Sequence, residues 1–352
     1  MGCGCDTVHK ELFRKNMPGL TRELGIDLGT QNIVIVEGNQ LLLQEPTMVA
    51  IVIDEQKMVE WGQAAKEMDG RVPDIIEVLR PLRNGVIAEF EITENLLGFL
   101  IKKVCGPMII FRPRAMITVP YGVTSVESRA VHEVGLGAGN RDVILIQQPL
   151  AAALGVELPI ATPSGNMIFS LGAGTNQAAV LALNGIVVAE TSRTGGLALD
   201  DAIISHIRKK FGVIIAQPTA EQLKIRIGAA IPQEQTQMME IQGQDQVTGL
   251  PKQVHLTTDE IVDALQDSLL EIVTTAKKVL EKTPPELISD IIDRGVALCG
   301  GGALLRGIDK YLTKSLGIPA YLVDNPTTCT AEGAARALGM RDALRRSLIS
   351  MG

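Results

Sequence analysis

Apolar residues in this chain form the same short pattern twice. Leu24-Gly-Ile-Asp-Leu-Gly-Thr-Gln-Asn-Ile-Val-Ile-Val-Glu37 sets two β-branched runs around a Gly-Thr-Gln-Asn turn, which predicts a strand–turn–strand hairpin. Asn166-Met-Ile-Phe-Ser-Leu-Gly-Ala-Gly-Thr-Asn-Gln-Ala-Ala-Val-Leu-Ala182 has the same form. Asp27 and Ser170 hold matching places in the two hairpins, about one domain length apart, and an internal duplication follows. Helical spacing of apolar residues appears after each hairpin, over Val123–Gly137 and over Leu199–Phe211, so each half is expected to flank a sheet with helices. A third pattern is Gly295-Val-Ala-Leu-Cys-Gly-Gly-Gly-Ala-Leu-Leu-Arg-Gly307, a buried-type strand, three glycines and an apolar-periodic helix. Thr330–Ile349 reads as one helix with Ala331, Ala334, Ala335 and Leu338 on the side that packs back onto the first half.

Residues 1–22 precede the first strand. Leu12, Phe13 and Met17 share one helical arc and Lys10, Arg14 and Lys15 the other, with Pro18 as a stop. Two readings stay open for this tail, a membrane-surface helix and a solvated extension.

Composition narrows the class. With 352 residues, 46% hydrophobic and 21% charged, the chain can bury the cores of about two domains. Only 3% of residues are aromatic and the net charge is −7, which argues against a nucleic-acid partner. Five scattered cysteines without a secretory signal point to a reducing, cytoplasmic setting.

The glycine-rich turns carry the candidate chemistry. Backbone amides at hairpin tips and at a helix start attract phosphate, and glycine lets the ligand approach the backbone. One such loop is weak evidence, but two at domain spacing with a third in the second half suggest a phosphate cleft. The motifs also support a resemblance. Gly25-Ile-Asp-Leu-Gly-Thr30, Arg80-Pro-Leu-Arg-Asn-Gly-Val-Ile-Ala-Glu-Phe90, Val119-Pro-Tyr-Gly-Val-Thr124, Pro149-Leu-Ala-Ala-Ala-Leu-Gly155, Arg193-Thr-Gly-Gly196, Val247-Thr-Gly-Leu-Pro-Lys252, Thr283-Pro-Pro-Glu-Leu287 and Gly300-Gly-Gly-Ala-Leu-Leu-Arg306 together resemble the actin-like ATPases, and within them the bacterial MreB rod-shape family, over roughly residues 24–340.

The resemblance implies an α/β actin-like ATPase fold, with duplicated ribonuclease H-like domains around a nucleotide cleft. Domain I would comprise 23–148 with 326–352, and domain II 149–325. It implies ATP and Mg²⁺ as cofactors, with Gly29, Thr30, Gln31 and Asn32 as the first phosphate loop and Gly172, Ala173 and Gly174 as the second. Gly195 and Gly196 follow. Glu221, Gln222, Leu223 and Lys224 would lie on the ribose and adenine side, and Gly300, Gly301, Gly302 and Ala303 would form the adenosine loop. Asp27, Gln148 and Thr175 would be the catalytic set, with Asp27 also at the metal. The implied partners are further copies in paired protofilaments, the inner membrane surface, wall-elongation proteins and paralogous actin-like proteins.

Three departures bear on activity. The family's Asp-Ile-Gly-Gly-Gly-Thr-Thr-Glu is Ser170-Leu-Gly-Ala-Gly-Thr-Asn-Gln177 here, and its Ile-Glu-Glu-Pro is Ile146-Gln-Gln-Pro149. An amide can orient water but cannot take its proton. Leu197 stands where an acid is usual. Retained binding with slow or absent hydrolysis is the expectation, and Ala173 should strain its loop if the position needs a positive φ.

Lys102-Lys-Val-Cys-Gly-Pro-Met-Ile-Ile-Phe-Arg-Pro-Arg114 resembles the family's membrane-insertion loop, with Met108, Ile109, Ile110 and Phe111 entering the lipid between basic flanks. The competing reading makes Met108 to Phe111 the start of a buried strand. For function, a membrane-associated filament protein of cell shape and wall synthesis, a divergent paralogue of its family, leads. A non-polymerising pseudo-ATPase that regulates such filaments is the alternative. A sugar or acetate kinase of related fold is disfavoured, because no acid beside the second loop matches the base that such a kinase needs.

Overall fold

The structure is a computed structural model that describes residues 21–55, 57–106 and 111–349. The amphipathic stretch of the N-terminal tail and Met108, Ile109 and Ile110 lie outside the described residues.

Two five-stranded sheets organise the chain, and their strands are numbered here β1–β10. The first contains β1 (Glu23–Leu28), β2 (Asn32–Glu37), β3 (Gln40–Pro46), β4 (Arg114–Val119) and β5 (Asp142–Gln147), in the spatial order β5-β4-β1-β2-β3. The second contains β6 (Asn166–Leu171), β7 (Asn176–Ala182), β8 (Gly185–Ser192), β9 (Val296–Cys299) and β10 (Ala320–Leu322), in the order β8-β7-β6-β9-β10. Each sheet is an antiparallel three-strand meander extended by two parallel strands. The hairpin repeat in the sequence is therefore a repeat of sheet topology. Asp27 pairs with Val34 and Ser170 with Gln177, each two residues before the glycine that opens the turn.

Those glycines close the turns in the same way. Gly29 N–H donates to the Asn32 carbonyl at 3.2 Å and Gly172 N–H to the Thr175 carbonyl at 2.9 Å. A Cβ on Gly29 would sit 2.6 Å from the Asn32 oxygen, and one on Gly172 2.7 Å from the Thr175 oxygen, so neither tip admits a side chain without moving.

Between the sheets lie two small-residue helices, Gln148–Gly155 and Cys329–Gly339. Ala151, Ala152 and Ala153 are fully buried against Met116 and Ile146 of the first sheet and Ile168, Ala179 and Ala297 of the second. A Cβ on Gly333 would lie 1.7 Å from the Ala151 carbonyl oxygen, and one on Gly155 1.8 Å from that of Cys329. Absent side chains thus set the spacing of this pair. Ala331 and Ala335 pack on Val34 and Val36 of β2, the side that the apolar spacing indicates. The predicted single helix over Thr330–Ile349 stops earlier, at Gly339. A short helix, Arg341–Leu344, follows, and Ile349 then bridges Leu145 on the open edge of β5. Periodicity cannot register that edge pairing.

The other predicted helices form, with small boundary shifts. The first spans Ser125–Gly137 and begins in a capping box between Thr124 and Glu127; the second spans Gly196–Phe211. The glycine triplet departs from expectation, since Gly301–Leu304 is a 3-10 turn and the helix starts only at Ile308. Each half also carries a three-stranded sheet. One joins Val49–Val52, Lys57–Trp61 and Ile76–Leu79; the other joins Val213–Ile214, Met238–Asp245 and Pro251–Thr257. Among the described residues no helix is long and apolar enough to cross a membrane.

Candidate functional site

The two hairpin tips face one cavity of about 420 Å³. Gly29, Thr30, Gln31 and Asn32 line it from the first half, and Gly172, Ala173, Gly174, Thr175, Gly196, Glu221, Lys224, Gly300, Gly301 and Gly302 from the second. Asp27 and Gln148 stand at its floor. Four predicted residues are not among its lining. Leu223 and Ala303 are buried in the core of the second half, Gln222 is exposed on its helix, and Gly195 lies behind the second tip, where a Cβ would meet the Ala173 carbonyl oxygen at 2.2 Å.

Both tips have carbonyl oxygens already engaged by donors within the protein. In the first, Thr47 donates its N–H to the Gln31 carbonyl at 2.9 Å and its Oγ1 to the Gly29 carbonyl at 2.7 Å. In the second, the start of the helix Gly196–Phe211 does the same work, with Gly196 N–H donating to the Gly172 carbonyl and Leu197 N–H to the Ala173 carbonyl, both at 2.9 Å. Drawing lone pairs off the lining favours an anion there. The tips nearly touch: Thr30 Oγ1 accepts from Gly85 N–H at 3.0 Å, and a Cβ on Gly174 would lie 2.5 Å from that same oxygen. Ala173 is not among the residues with positive φ, so the strain expected of alanine there does not arise.

At the floor, Asp27 Oδ1 accepts from Thr118 Oγ1 at 2.5 Å and from Gln148 Nε2 at 3.2 Å. Burial pushes the Asp27 carboxyl above its ordinary range, against the opposing pull of those two donors. Gln148 Oε1 accepts from Gln177 Nε2, which also reaches Thr175 Oγ1 at 3.2 Å. Ser170 lines the cavity at the place equivalent to Asp27 and brings a hydroxyl where the first half brings a charge.

On the opposite side Glu221 is clamped from the first half, accepting from Gln31 Nε2 at 2.9 Å and pairing with Lys66 Nζ at 3.0 Å. Gln31 Oε1 is buried with no protein partner among the described residues, an acceptor that a ligand donor would satisfy. Lys224 Nζ pairs with Asp200 Oδ1 at 2.7 Å and donates to the Gly196 carbonyl at 2.7 Å. Asp200 is buried and its carboxyl is pushed up to about 6 by desolvation, which outweighs the pull of Lys224. The sequence reading missed Asp200; its signal was an acid one helical turn beyond Leu197. Ile225 and Leu304, both exposed, add apolar wall beside Gly301 and Gly302. Gly300 has φ 84° and a Cβ there would lie 2.3 Å from the Leu171 carbonyl oxygen, so glycine is required at this bend.

Among the described residues no three His, Cys, Asp or Glu side chains are grouped to hold a metal by themselves. The arrangement suits a polyanion held by backbone, with one carboxylate at its charged end. Away from the cleft, β4 begins only at Arg114 and Phe111 is 52% exposed, which disfavours a buried strand at Phe111.

A profile of the MreB/Mbl protein family matches residues 21–346. The chain is 42% identical to the cell shape-determining protein Mbl of Bacillus cereus over 324 residues, 92% of this chain and 97% of the relative. It is 42% identical to the cell shape-determining protein MreB of Escherichia coli over 337 residues, 94% and 97% of the two chains. The crystal structure of MreB5 of Spiroplasma citri bound to ADP superposes with a TM-score of 0.87 at 31% identity, covering 92% of this chain and 98% of that one. The AMPPNP complex of the same protein gives 0.86, covering 94% and 99%.

Proposed function

The chain belongs to the MreB/Mbl protein family, and from that premise we propose that it forms actin-like filaments with ATP and Mg²⁺ in the cleft, attached to the inner face of the cell membrane. The filaments would act in cell shape and in the organisation of wall synthesis. One observation carries the nucleotide reading: two equivalent hairpin tips line one cavity, with tip carbonyls already engaged by donors within the protein. The solved structures holding ADP and AMPPNP support it.

The residues fit these groups. The tip amides would meet the phosphates, while Gln31 Oε1, Glu221 and Lys224 would face the ribose. The carboxylates lining the cavity are Asp27, Asp200 and Glu221, and the last two are paired with lysines. Both bonds to Asp27 fall on Oδ1, which leaves Oδ2 for a hydrated Mg²⁺. When bound, that ion would neutralise charge on the phosphates.

Gln148 orients water through its amide oxygen but takes no proton from it, and Ser170 supplies no second charge. Turnover is therefore slow while binding persists. Thr175 sits beside this point through its contact with Gln177.

We divide the chain into 23–148 with 326–352, and 149–325, joined through the two small-residue helices. Phe111, with Met108, Ile109 and Ile110, forms the lipid contact, and each basic flank adds about 1 kcal/mol on an anionic surface. Self-association in paired protofilaments multiplies such weak contacts. Wall-synthesis proteins and paralogous filaments are the further partners.

Pelleting across protein concentration with Mg-ATP, Mg-ADP or no nucleotide, with and without anionic vesicles, tests this reading. Polymer above a nucleotide-dependent critical concentration is expected. Folded protein that never pellets would instead identify a non-polymerising regulator of such filaments.

A further inference from the structure

The peptide of Tyr121, just past the end of β4, is gripped from the second half on both sides. Its N–H donates to Gln177 Oε1 at 2.8 Å, and its carbonyl accepts from Thr191 Oγ1 at 2.9 Å. Gln177 and Thr191 are register partners on β7 and β8. From there the bonds continue to the floor of the cleft, Gln177 Nε2 donating to Gln148 Oε1 and Gln148 Nε2 to Asp27 Oδ1. The line leaves the first sheet, crosses the second, and returns to the first.

Both of its ends fix its direction. A backbone N–H only donates, and Asp27 Oδ1 accepts from both Thr118 and Gln148, so each amide between them has one workable orientation. Turning either one over would set oxygen against oxygen in a buried place, where Gln177 is 1% exposed. The side chain at 177 has to accept from Tyr121 and donate to Gln148 at once. An amide does both, an ionised Glu only accepts, and a Met does neither.

We propose that Gln177 is a positioning residue for the cleft, coupling the contact between the two halves to the orientation of Gln148 beside the phosphate end. The proposal rests on the cleft being the nucleotide site. It makes Gln148 report closure: if β7 withdraws from Tyr121, the donor that polarises the Gln148 oxygen goes with it. The titratable and charged groups around this line are Asp27 on β1, the Cys329 thiol on the helix beneath it, which feels the Asp27 charge, and the Lys282–Glu190 pair beyond Tyr121.

The test loads wild type, Gln177→Glu and Gln177→Met with a fluorescent ATP analogue and Mg²⁺, and follows its release between about pH 4 and about pH 8.5, a window that spans the ordinary glutamate range. Relative to wild type at each pH, Gln177→Glu should release the analogue about tenfold faster at the alkaline end, where it is ionised, and recover toward wild type at the acid end. Gln177→Met should be faster by a factor that does not change with pH. A Gln177→Glu ratio that stays at one, or shows no pH dependence, overturns the proposal. Wild type that takes up no analogue overturns the nucleotide reading instead. In that case thermal unfolding of Gln177→Glu against wild type over the same pH range tests the relay alone. A deficit confined to alkaline pH supports it, and parallel profiles refute it.

Discussion

At the first hairpin tip Thr47 engages the carbonyls of Gly29 and Gln31; at the second, the start of the helix Gly196–Phe211 engages those of Gly172 and Ala173. The supports differ and the resulting cradle is the same. The floors beneath the tips differ in chemistry, with a half-buried carboxyl at Asp27 and a hydroxyl at Ser170. Backbone geometry is held in both copies by positions where a Cβ would strike a carbonyl oxygen. Side-chain charge has no such steric guard, and only one copy carries it. Shape and charge at the two tips are thus set by separate constraints.

Replacing each turn glycine breaks the comparison hardest. Gly29→Ala and Gly172→Ala each place a methyl within 2.7 Å of a carbonyl oxygen, so each should destabilise by up to about 3 kcal/mol in urea unfolding. Markedly unequal losses would show that the two tips are not equivalent. Next come the floors. Asp27→Asn should weaken Mg-ATP binding about tenfold in a fluorescence titration, while Ser170→Ala should change it by less than about twofold. Equal effects would contradict the asymmetry.

A third prediction concerns the second half's buried acid. The folded-state value for Asp200 is about 6, above its ordinary 3.8, so the folded protein holds a proton that the unfolded chain has released over that window. Its contribution to stability is full below about pH 4 and lost as pH rises to about 6. Thermal scans of Asp200→Asn should lack that part of the decline. The smallest expected effect is at Ala173. Its φ is not positive, so Ala173→Gly should lose about 0.4–1 kcal/mol through greater freedom of the unfolded chain. A gain would mean that the alanine is strained.

Much of the architecture was legible because it is local. Alternating runs around Gly29 and Gly172 announced the paired hairpins, and the spacing of Ala331, Ala334, Ala335 and Leu338 identified the face of a packed helix. The resemblance supplied most of the cavity's lining. Contacts between distant residues escaped: Asp200 meets Lys224, Glu221 meets Lys66, and Gln177 meets both Tyr121 and Gln148. The first depends on how two helices of the second half pack and the others on how the halves meet, which no window of sequence encodes. The ends of elements escaped for a similar reason, as where Gly339 ends a helix and Ile349 pairs with Leu145.

We propose a cleft that binds nucleotide and leaves it largely intact, and single-turnover quench of protein pre-loaded with radiolabelled Mg-ATP, run beside a Ser170→Asp/Gln148→Glu variant, decides it. Stoichiometric binding with ATP persisting in wild type, and faster conversion to ADP in the variant, are expected. Rapid conversion in wild type, or a variant no faster than it, would overturn the proposal.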